Sequence, residues 1–596
     1  METRKQLSAF LLRQIPSLKT HHMVGGTPAD RGNQNQITVF KSAWFYLASD
    51  VLTQAKVWGH SLTMRLLNFK EALLKGDLLD LLNICQSVTD LLLQEDLNTL
   101  SWDAFKQHLT EAHPEHKELT VRLLSPIIPL LTNLLDSEDV FPESLRGCLQ
   151  FLRFGKKLHL ESIGLEEKAL TSYLDIEDNL ARLDFSNQAD VIQDLNKIMR
   201  RWLRRLDLRD LIPNHGNGSV AEGSLTLYEK YKSLRADLKV SVVVGQNADS
   251  YYRVGSMTAY AADLQRSTDD VLTRVSRTIF VPKTFSKLRT ISMEPTTIQF
   301  WQQAIMKKVY DYISSHRHLR YCVQLEDQEY NRRMAKRGSK DGSLATIDLS
   351  AASDRVSWSL VKAIFARTPL LKWLYATRSE KTELPNGTIL PLAKFAPMGS
   401  ALCFPIQCLI FAAVIEYVTQ KCATRIPSEH PGYAVYGDDM IVATSLAPEV
   451  MDTLVSLGFT VNRDKSFVSG KFRESCGGDY YDGSDVSSVY YKFKIDHKIN
   501  LKFNTRLKPE CYAAIASVCN LCYKHGLLQL REFFLSLIRR YYPYFTDSLV
   551  ESPNIFSPQP TNFHSRKRWH EDYQCWVARF CTVLSKPVQR AVVDAN

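Results

Sequence analysis

At 596 residues and 68.1 kDa the chain exceeds the size at which one hydrophobic core keeps growing, which excludes a single small module and predicts several subdomains. Apolar residues make up 45% and charged residues 23%, a balance that excludes a largely disordered chain. The formal net charge of +10 favours polyanionic partners.

The first segment, "METRKQLSAFLLRQIPSLKTHH", lacks the unbroken apolar stretch and small-residue cleavage site of a secretion signal, so a cytosolic protein is expected. From about Lys41 to Asp210, leucines recur at helical spacing, as in "GDLLDLLNICQSVTDLLLQEDL", and predict a helical region. Residues 213–223, "PNHGNGSVAEG", break that pattern and predict a loop or boundary; their glycines fit neither a dinucleotide-binding nor a P-loop pattern.

Between residues 275 and 500, short β-rich runs ("RTIFVP", "LATIDL", "GYAVY", "MIVAT") alternate with longer helical ones, which predicts a mixed α and β domain. Val281 to Lys340 holds twelve Lys and Arg against five Asp and Glu, a local excess of seven in the chain's ten. Such a concentration suits a channel for nucleic acid or nucleotide phosphates as well as a solvated helix face. The apolar window "ALCFPIQCLIFAAVIEYV" carries Pro405, Gln407 and Glu416 and is expected to be too short and interrupted to span a bilayer. After Leu501 helical spacing returns, followed by a basic aromatic stretch, "HSRKRWHEDYQCW". The twelve scattered cysteines suit a reducing compartment, and Cys519, Cys522 and His525 in "CNLCYKH" are read as core packing rather than a zinc site.

Carboxylates carry the chemistry. The runs "GYAVY" and "MIVAT" predict a hairpin with Gly437, Asp438 and Asp439 at its turn, residues that a tight turn tolerates without any function. Ninety residues earlier, "LATIDLSAASDRVSW" ends a β-rich run on Asp348 and places Asp354 six positions on, where a helix begins. Acidic groups delivered by the ends of neighbouring strands repel unless positive charge lies between them. Two divalent ions resolve that conflict, and hard oxygen ligands select Mg²⁺ or Mn²⁺.

The ordered set Asp-x5-Asp, "PMGSALCFPIQCLIF", Tyr-Gly-Asp-Asp and "GFTVNRDKSFVSGKFRESCGGDYYDG" resembles the palm motifs of viral RNA-directed RNA polymerases, with the catalytic replicase subunit of levivirus-type RNA phages the nearest likeness. "FVPKTFSKLRTISMEP" is similar to that family's basic fingers motif and "LEDQEYNRRMAKRGS" to the segment before its first catalytic aspartate. The resemblance covers roughly residues 275–495.

The resemblance implies an α+β right-hand fold of fingers, palm with an antiparallel sheet, and thumb. Residues 1–210 would form a mostly helical N-terminal region with part of the fingers, and 211–340 the fingers with the nucleotide-entry motif. Residues 341–500 would form the palm, and 501–596 a helical thumb and tail. It implies that Asp348 and Asp438 bind two Mg²⁺ or Mn²⁺ ions with Asp439 assisting, and that Lys283 and Arg289 grip the triphosphate. Asp354 would contact the ribose, although Ser350 or Ser353 can equally make it part of a helix cap. Lys465 would protonate the departing pyrophosphate. Gly399 and Ser400 would lie in the loop that accommodates template and nucleotide.

The chain departs from the phage pattern where Met398, Gly399, Ser400, Ala401, Phe404, Pro405 and Gln407 replace Met-Gly-Asn-Gly and Phe-Glu-x-Glu. The implied function is replication of a positive-strand phage genome in the host bacterial cytoplasm, away from membranes. By the same resemblance single-stranded RNA would be the template, ribonucleoside triphosphates the substrates, and host factors such as EF-Tu and EF-Ts would be recruited. A narnavirus or ourmiavirus replicase fits the palm motifs nearly as well. A reverse transcriptase would share the aspartates but not a ribose reader such as Asp354.

Overall fold

The computed structural model describes residues 28–94, 101–136, 141–160, 164–216, 218–234, 240, 243, 274–422, 432–492, 509–539, 546–547, 555–557, 568–570 and 575–577. The N-terminal segment read for a secretion signal and most of the basic aromatic stretch at 564–576 lie outside the described residues. Two compact units emerge: Met1–Ser162 together with Val486–Asn596, and Ile163–Asp485.

The first unit is helical where described, apart from short strand pairs near its end. Helices Pro28–Gln54, Gly59–Lys75 and Pro142–Arg153 bury an aromatic cluster in which Trp44 lies 5.4 Å from Phe69 and Phe69 5.2 Å from Phe151. Tyr491, from the far end of the chain, stands edge-on to Phe40 at 5.3 Å. Asp50 makes a second tie between the chain's two ends. Its two carboxylate oxygens, buried, accept the Gln529 and Leu530 backbone N–H groups at 2.9 Å, at the start of helix Leu528–Arg539. Those N–H groups have no intrahelical acceptor, and the positive helix end favours an anion. Cys519 and Cys522 are buried along helix Pro509–Lys524, and burial pushes the Cys519 thiol up to about 12, as a core packing role requires.

The second unit carries the motif residues. It opens with helices α1 (Leu165–Ala181) and α2 (Ala189–Leu203). A hairpin of β1 (Val275–Pro282) and β2 (Leu288–Met293) leads to helices α3 (Thr296–Ser315) and α4 (Gln328–Asp341). Strand β3 (Leu344–Ile347), helix α5 (Trp358–Ile364), strands β4 (Lys381–Glu383) and β5 (Ile389–Pro391) and helix α6 (Cys403–Lys421) follow. The last elements are β6 (Ala434–Tyr436), β7 (Asp439–Ala443), helix α7 (Ala447–Ser456) and the hairpin of β8 (Phe472–Ser475) and β9 (Gly478–Tyr481). The sheets run β2-β1-β4-β5 and β3-β7-β6, the second antiparallel throughout, and the fold class is α+β.

Helix α6 is the central beam of this unit, buried on nearly every face. Pro405 does not interrupt it, because the first turn of a helix has no need of that N–H. Contrary to the expectation of a segment too short and broken, the helix is 19 residues long and apolar enough to cross a membrane by length and composition. Within the protein, 78% of its apolar window is buried, so burial in the core accounts for its composition.

Replacing Asp50 by Ala leaves two buried N–H groups without acceptors. The unfolding transition of the first unit should drop by about 1–3 kcal/mol in urea titration followed by tryptophan fluorescence.

Candidate active site

Strands β3 and β7 pair with Ile347 opposite Met440, so Asp348 and Asp439, the next residues toward one end, emerge together. Tyr436 pairs with Asp439 across the β6–β7 hairpin, leaving Gly437 and Asp438 as its two-residue turn. Asp439 is thus the first residue of a strand and not part of the turn as the alternation predicted. Gly437 has φ +64, and a Cβ there would stand 2.9 Å from the Phe404 ring and 3.2 Å from Gln407 Nε2. Its N–H points at Cys408 Sγ, 3.1 Å away. The close seat on α6 therefore excludes a side chain at 437.

The segment after α7 lines the other side of Asp348. Its backbone N–H donates to Ser466 Oγ at 3.1 Å, its carbonyl accepts from Asn462 N–H at 2.9 Å, and its Oδ2 accepts from Asn462 Nδ2 at 2.8 Å. Lys465 sits in the 3₁₀ turn Arg463–Lys465 of the same segment, close enough to Asp348 to favour its ionised form. Burial outweighs that attraction, and with Asp438 and Glu474 nearby it raises the Asp348 carboxyl to about 6. Asp439 is pushed up to about 7, by burial first and then by Asp438, Asp348 and Glu474.

Lys283 stands at the tip of the β1–β2 hairpin, where its N–H donates to the Lys287 carbonyl at 3.1 Å. Partial desolvation, then repulsion from Lys465 and Arg289, lowers its ammonium below the ordinary value against the pull of Asp438 and Asp348. Those couplings put Lys283 and Lys465 within electrostatic reach of the paired aspartates. Arg289, exposed on β2, lies opposite Val281.

Gly399 and Ser400 pack against the protein's own backbone. Gly399 has φ +118, and a Cβ would meet the Ser292 carbonyl oxygen of β2 at 2.1 Å, so the close approach it permits is to protein backbone. Ser400 is buried just before α6, with Oγ 3.4 Å from the Leu402 N–H.

Asp354 lies in the 3₁₀ turn Ser353–Arg355 and does not cap α5; Ser357 does, accepting the Leu360 N–H at 3.1 Å. Its Oδ1 instead accepts from Lys394 Nζ at 2.8 Å. Lys394 is fully buried and also lies 3.2 Å from Glu177 Oε1 and 3.7 Å from the centroid of the Tyr173 ring. Ser353 Oγ donates to Gln407 Oε1 at 2.8 Å, which ties the Asp354 turn to the helix under Gly437. Sequence reasoning missed Lys394, Glu177, Gln407 and Asn462 as parts of this site. A lone lysine in the apolar run "LPLAKFAP" was the available signal, since a buried ammonium requires partners.

Among the described residues no three carboxylate, imidazole or thiol groups form a ready cation cage. The donor set still fits Mg²⁺, which keeps several waters and takes one or two carboxylates with substrate phosphates.

The family described as RNA replicase, beta-chain, matches residues 241–578, a span that holds every aspartate, lysine, arginine and glycine predicted for the site. The RNA-directed RNA polymerase subunit beta of Enterobacteria phage SP is 33% identical over 42% of this chain and 39% of its own length. The beta chain of Enterobacteria phage fr is 41% identical over 30% and 32%, and subunit beta of Escherichia virus Qbeta 34% over 37% and 36%. The chain thus spans 32% to 39% of the length of these curated relatives. With more than half of its residues matched and the aspartates converging at one sheet end, the chain belongs to the RNA replicase beta-chain family.

Proposed function

We propose that this chain is an RNA-directed RNA polymerase that copies single-stranded RNA from ribonucleoside triphosphates. One observation carries the reading: Asp348 and the Asp438–Asp439 pair meet at the same end of the β3-β7-β6 sheet, with Lys283 and Lys465 facing them. In this reading residues 341–500 are the palm, 211–340 and part of 1–210 the fingers, and 501–596 the thumb.

The reaction forms a bond between the 3′-oxygen of the growing strand and the α-phosphorus, and breaks the bond from that phosphorus to the β-phosphate oxygen, which leaves with pyrophosphate. Asp348 and Asp438 would hold the ions and Asp439 would assist. Two Mg²⁺ or Mn²⁺ ions, when bound, activate the attacking hydroxyl and neutralise charge on the leaving group. Lys283 and Arg289 grip the triphosphate; a guanidinium can make two parallel bonds to phosphate oxygens. Lys465 supplies the proton that the departing pyrophosphate takes up. Asp354 reads the ribose 2′-hydroxyl. Gly399 and Ser400 fix the loop beside template and nucleotide by seating it against β2 and α6. Replication of a positive-strand phage genome in the bacterial cytoplasm, with host partners such as EF-Tu and EF-Ts, completes the proposal; co-purification from host cells tests the partners.

Asp438→Asn removes one charge from the ion-holding set. Nucleotide incorporation should fall by at least about a hundredfold, while RNA affinity measured by filter binding stays within about twofold. A near wild-type incorporation rate in Mg²⁺ would rule out the assignment. As a check independent of turnover, Mn²⁺ titration followed by paramagnetic resonance should show tight binding in the wild type and at least tenfold weaker binding in Asp348→Asn, about 1.4 kcal/mol.

Arg289→Ala should raise the nucleotide KM or lower kcat about tenfold or more, because a charge-assisted bidentate contact is lost. An unchanged kcat/KM per folded molecule, with only the melting temperature altered, would make Arg289 a structural residue.

A further inference from the structure

Lys394 is the least explained charge near the site. Its side chain has no solvent exposure, yet it is fixed from three directions: by Asp354 at 2.8 Å, by Glu177 at 3.2 Å, and by the face of Tyr173 at 3.7 Å. Glu177 and Tyr173 lie on the buried stripe of α1, and Glu177 Oε2 also accepts the Ala393 N–H at 2.6 Å. The backbone around Lys394 is equally constrained. Phe395 N–H donates to Val356 O at 2.7 Å, and the Arg378 guanidinium donates to the carbonyls of Lys394 at 2.9 Å and Phe395 at 3.0 Å.

A buried ion pair is poor value for stability alone, since apolar side chains of the same volume serve as well. What the arrangement does provide is orientation. Lys394 takes up Oδ1 of Asp354, and among the described residues no other side chain hydrogen-bonds this carboxylate. Asp354 keeps 16% of its side chain exposed while Lys394 keeps none, so whatever the pair leaves open belongs to Asp354. On the other flank, Ser353 is tied through Gln407 to the helix beneath the Gly437–Asp438 turn. The short turn bearing Asp354 is thereby clamped between α1 and α6.

We propose that Lys394, anchored by Glu177, is the positioning residue for ribose selection: by occupying Oδ1 of Asp354 it leaves Oδ2 as the acceptor for the 2′-hydroxyl of the incoming nucleotide. This deepens the proposed polymerase reading and rests on Asp354 as the sugar-reading group. Tyr173 and Glu177 lie outside the span matched by the replicase family, so the anchor comes from a part of the chain that the family match does not cover. The double negative charge around one ammonium keeps Lys394 protonated, its ammonium raised despite the burial that opposes it.

The test is the ratio of kcat/KM for ATP to that for dATP opposite a templating uridine, in Mg²⁺. Lys394→Met paired with Glu177→Gln removes the ammonium without stranding the second carboxylate, and the ratio should fall about tenfold or more, as for a lost hydrogen bond to a substrate hydroxyl. Glu177→Gln alone keeps an acceptor for the Ala393 N–H and is the milder variant if the pair folds poorly; its ratio should fall about threefold, a loosened and not a lost contact. Asp354→Ala should lose the preference, and adding the Lys394 change to it should cost no further discrimination, because both act on one contact. Folded Lys394 and Glu177 variants with wild-type discrimination, beside an Asp354→Ala enzyme that has lost it, would overturn the positioning role while leaving Asp354 as the ribose reader. Full discrimination in Asp354→Ala would overturn both.

Discussion

The site is organised around the confinement of like charges. Asp348 and the Asp438–Asp439 pair are carried by the ends of hydrogen-bonded strands, so the repulsion between them cannot be relieved by moving apart without breaking the β3-β7-β6 sheet. Partial burial first, and then the neighbouring carboxylates, raise the carboxyls of Asp348 and Asp439 to about 6 and about 7. The surrounding groups fit this need for compensation. Asn462 donates to Asp348, Lys465 approaches it from the same segment, and Lys283 reaches toward it from a separate hairpin.

Rigid backbone makes the confinement possible. Helix α6 supports the Gly437–Asp438 turn through the Cys408 thiol, and its apolar length anchors that support in the core. Glycine is used where backbone must approach closely: Gly437 against α6 and Gly399 against the Ser292 carbonyl of β2. Beside Gly399, the Ser292 N–H of β2 donates to the Met398 carbonyl at 2.8 Å just before α6 begins, so the hairpin bearing Lys283 is tied to the segment that leads into α6.

Local patterns in the sequence were sufficient for the strands and for the acidic residues at their ends. The alternation in "GYAVY" and "MIVAT" is β6 and β7, and "LATI" is β3, because half-buried and buried strands write their burial into adjacent positions. Long-range pairing left no such trace. Glu177 sits 216 residues from Ala393, whose N–H it accepts, and looks like any surface glutamate until α1 is seen to bury it among Tyr173, Ile176 and Leu180. Asp50 and Gln529, 479 residues apart, are likewise invisible as a pair, and so is the union of the chain's two ends in one unit. The glycine at 399 was legible as a close approach, but only the structure identifies Ser292 as what it approaches.

The departure at Ser400 connects with the buried lysine. A longer amide side chain at this position, as in the phage pattern, carries donors and an acceptor beyond its Cβ, whereas a serine hydroxyl reaches only its immediate surroundings. Here that hydroxyl is buried beside the Leu402 N–H at the start of α6. Under the proposed polymerase reading, sugar recognition then falls more heavily on Asp354 than it would with an amide alongside. A single carboxylate discriminates between hydroxyl and hydrogen only if its acceptor oxygen is held in place, because a rotating group can find water instead of staying unpaired when the hydroxyl is missing. Fixing Asp354 through a fully buried ammonium, itself fixed by α1, meets that requirement with groups that stay inside the protein.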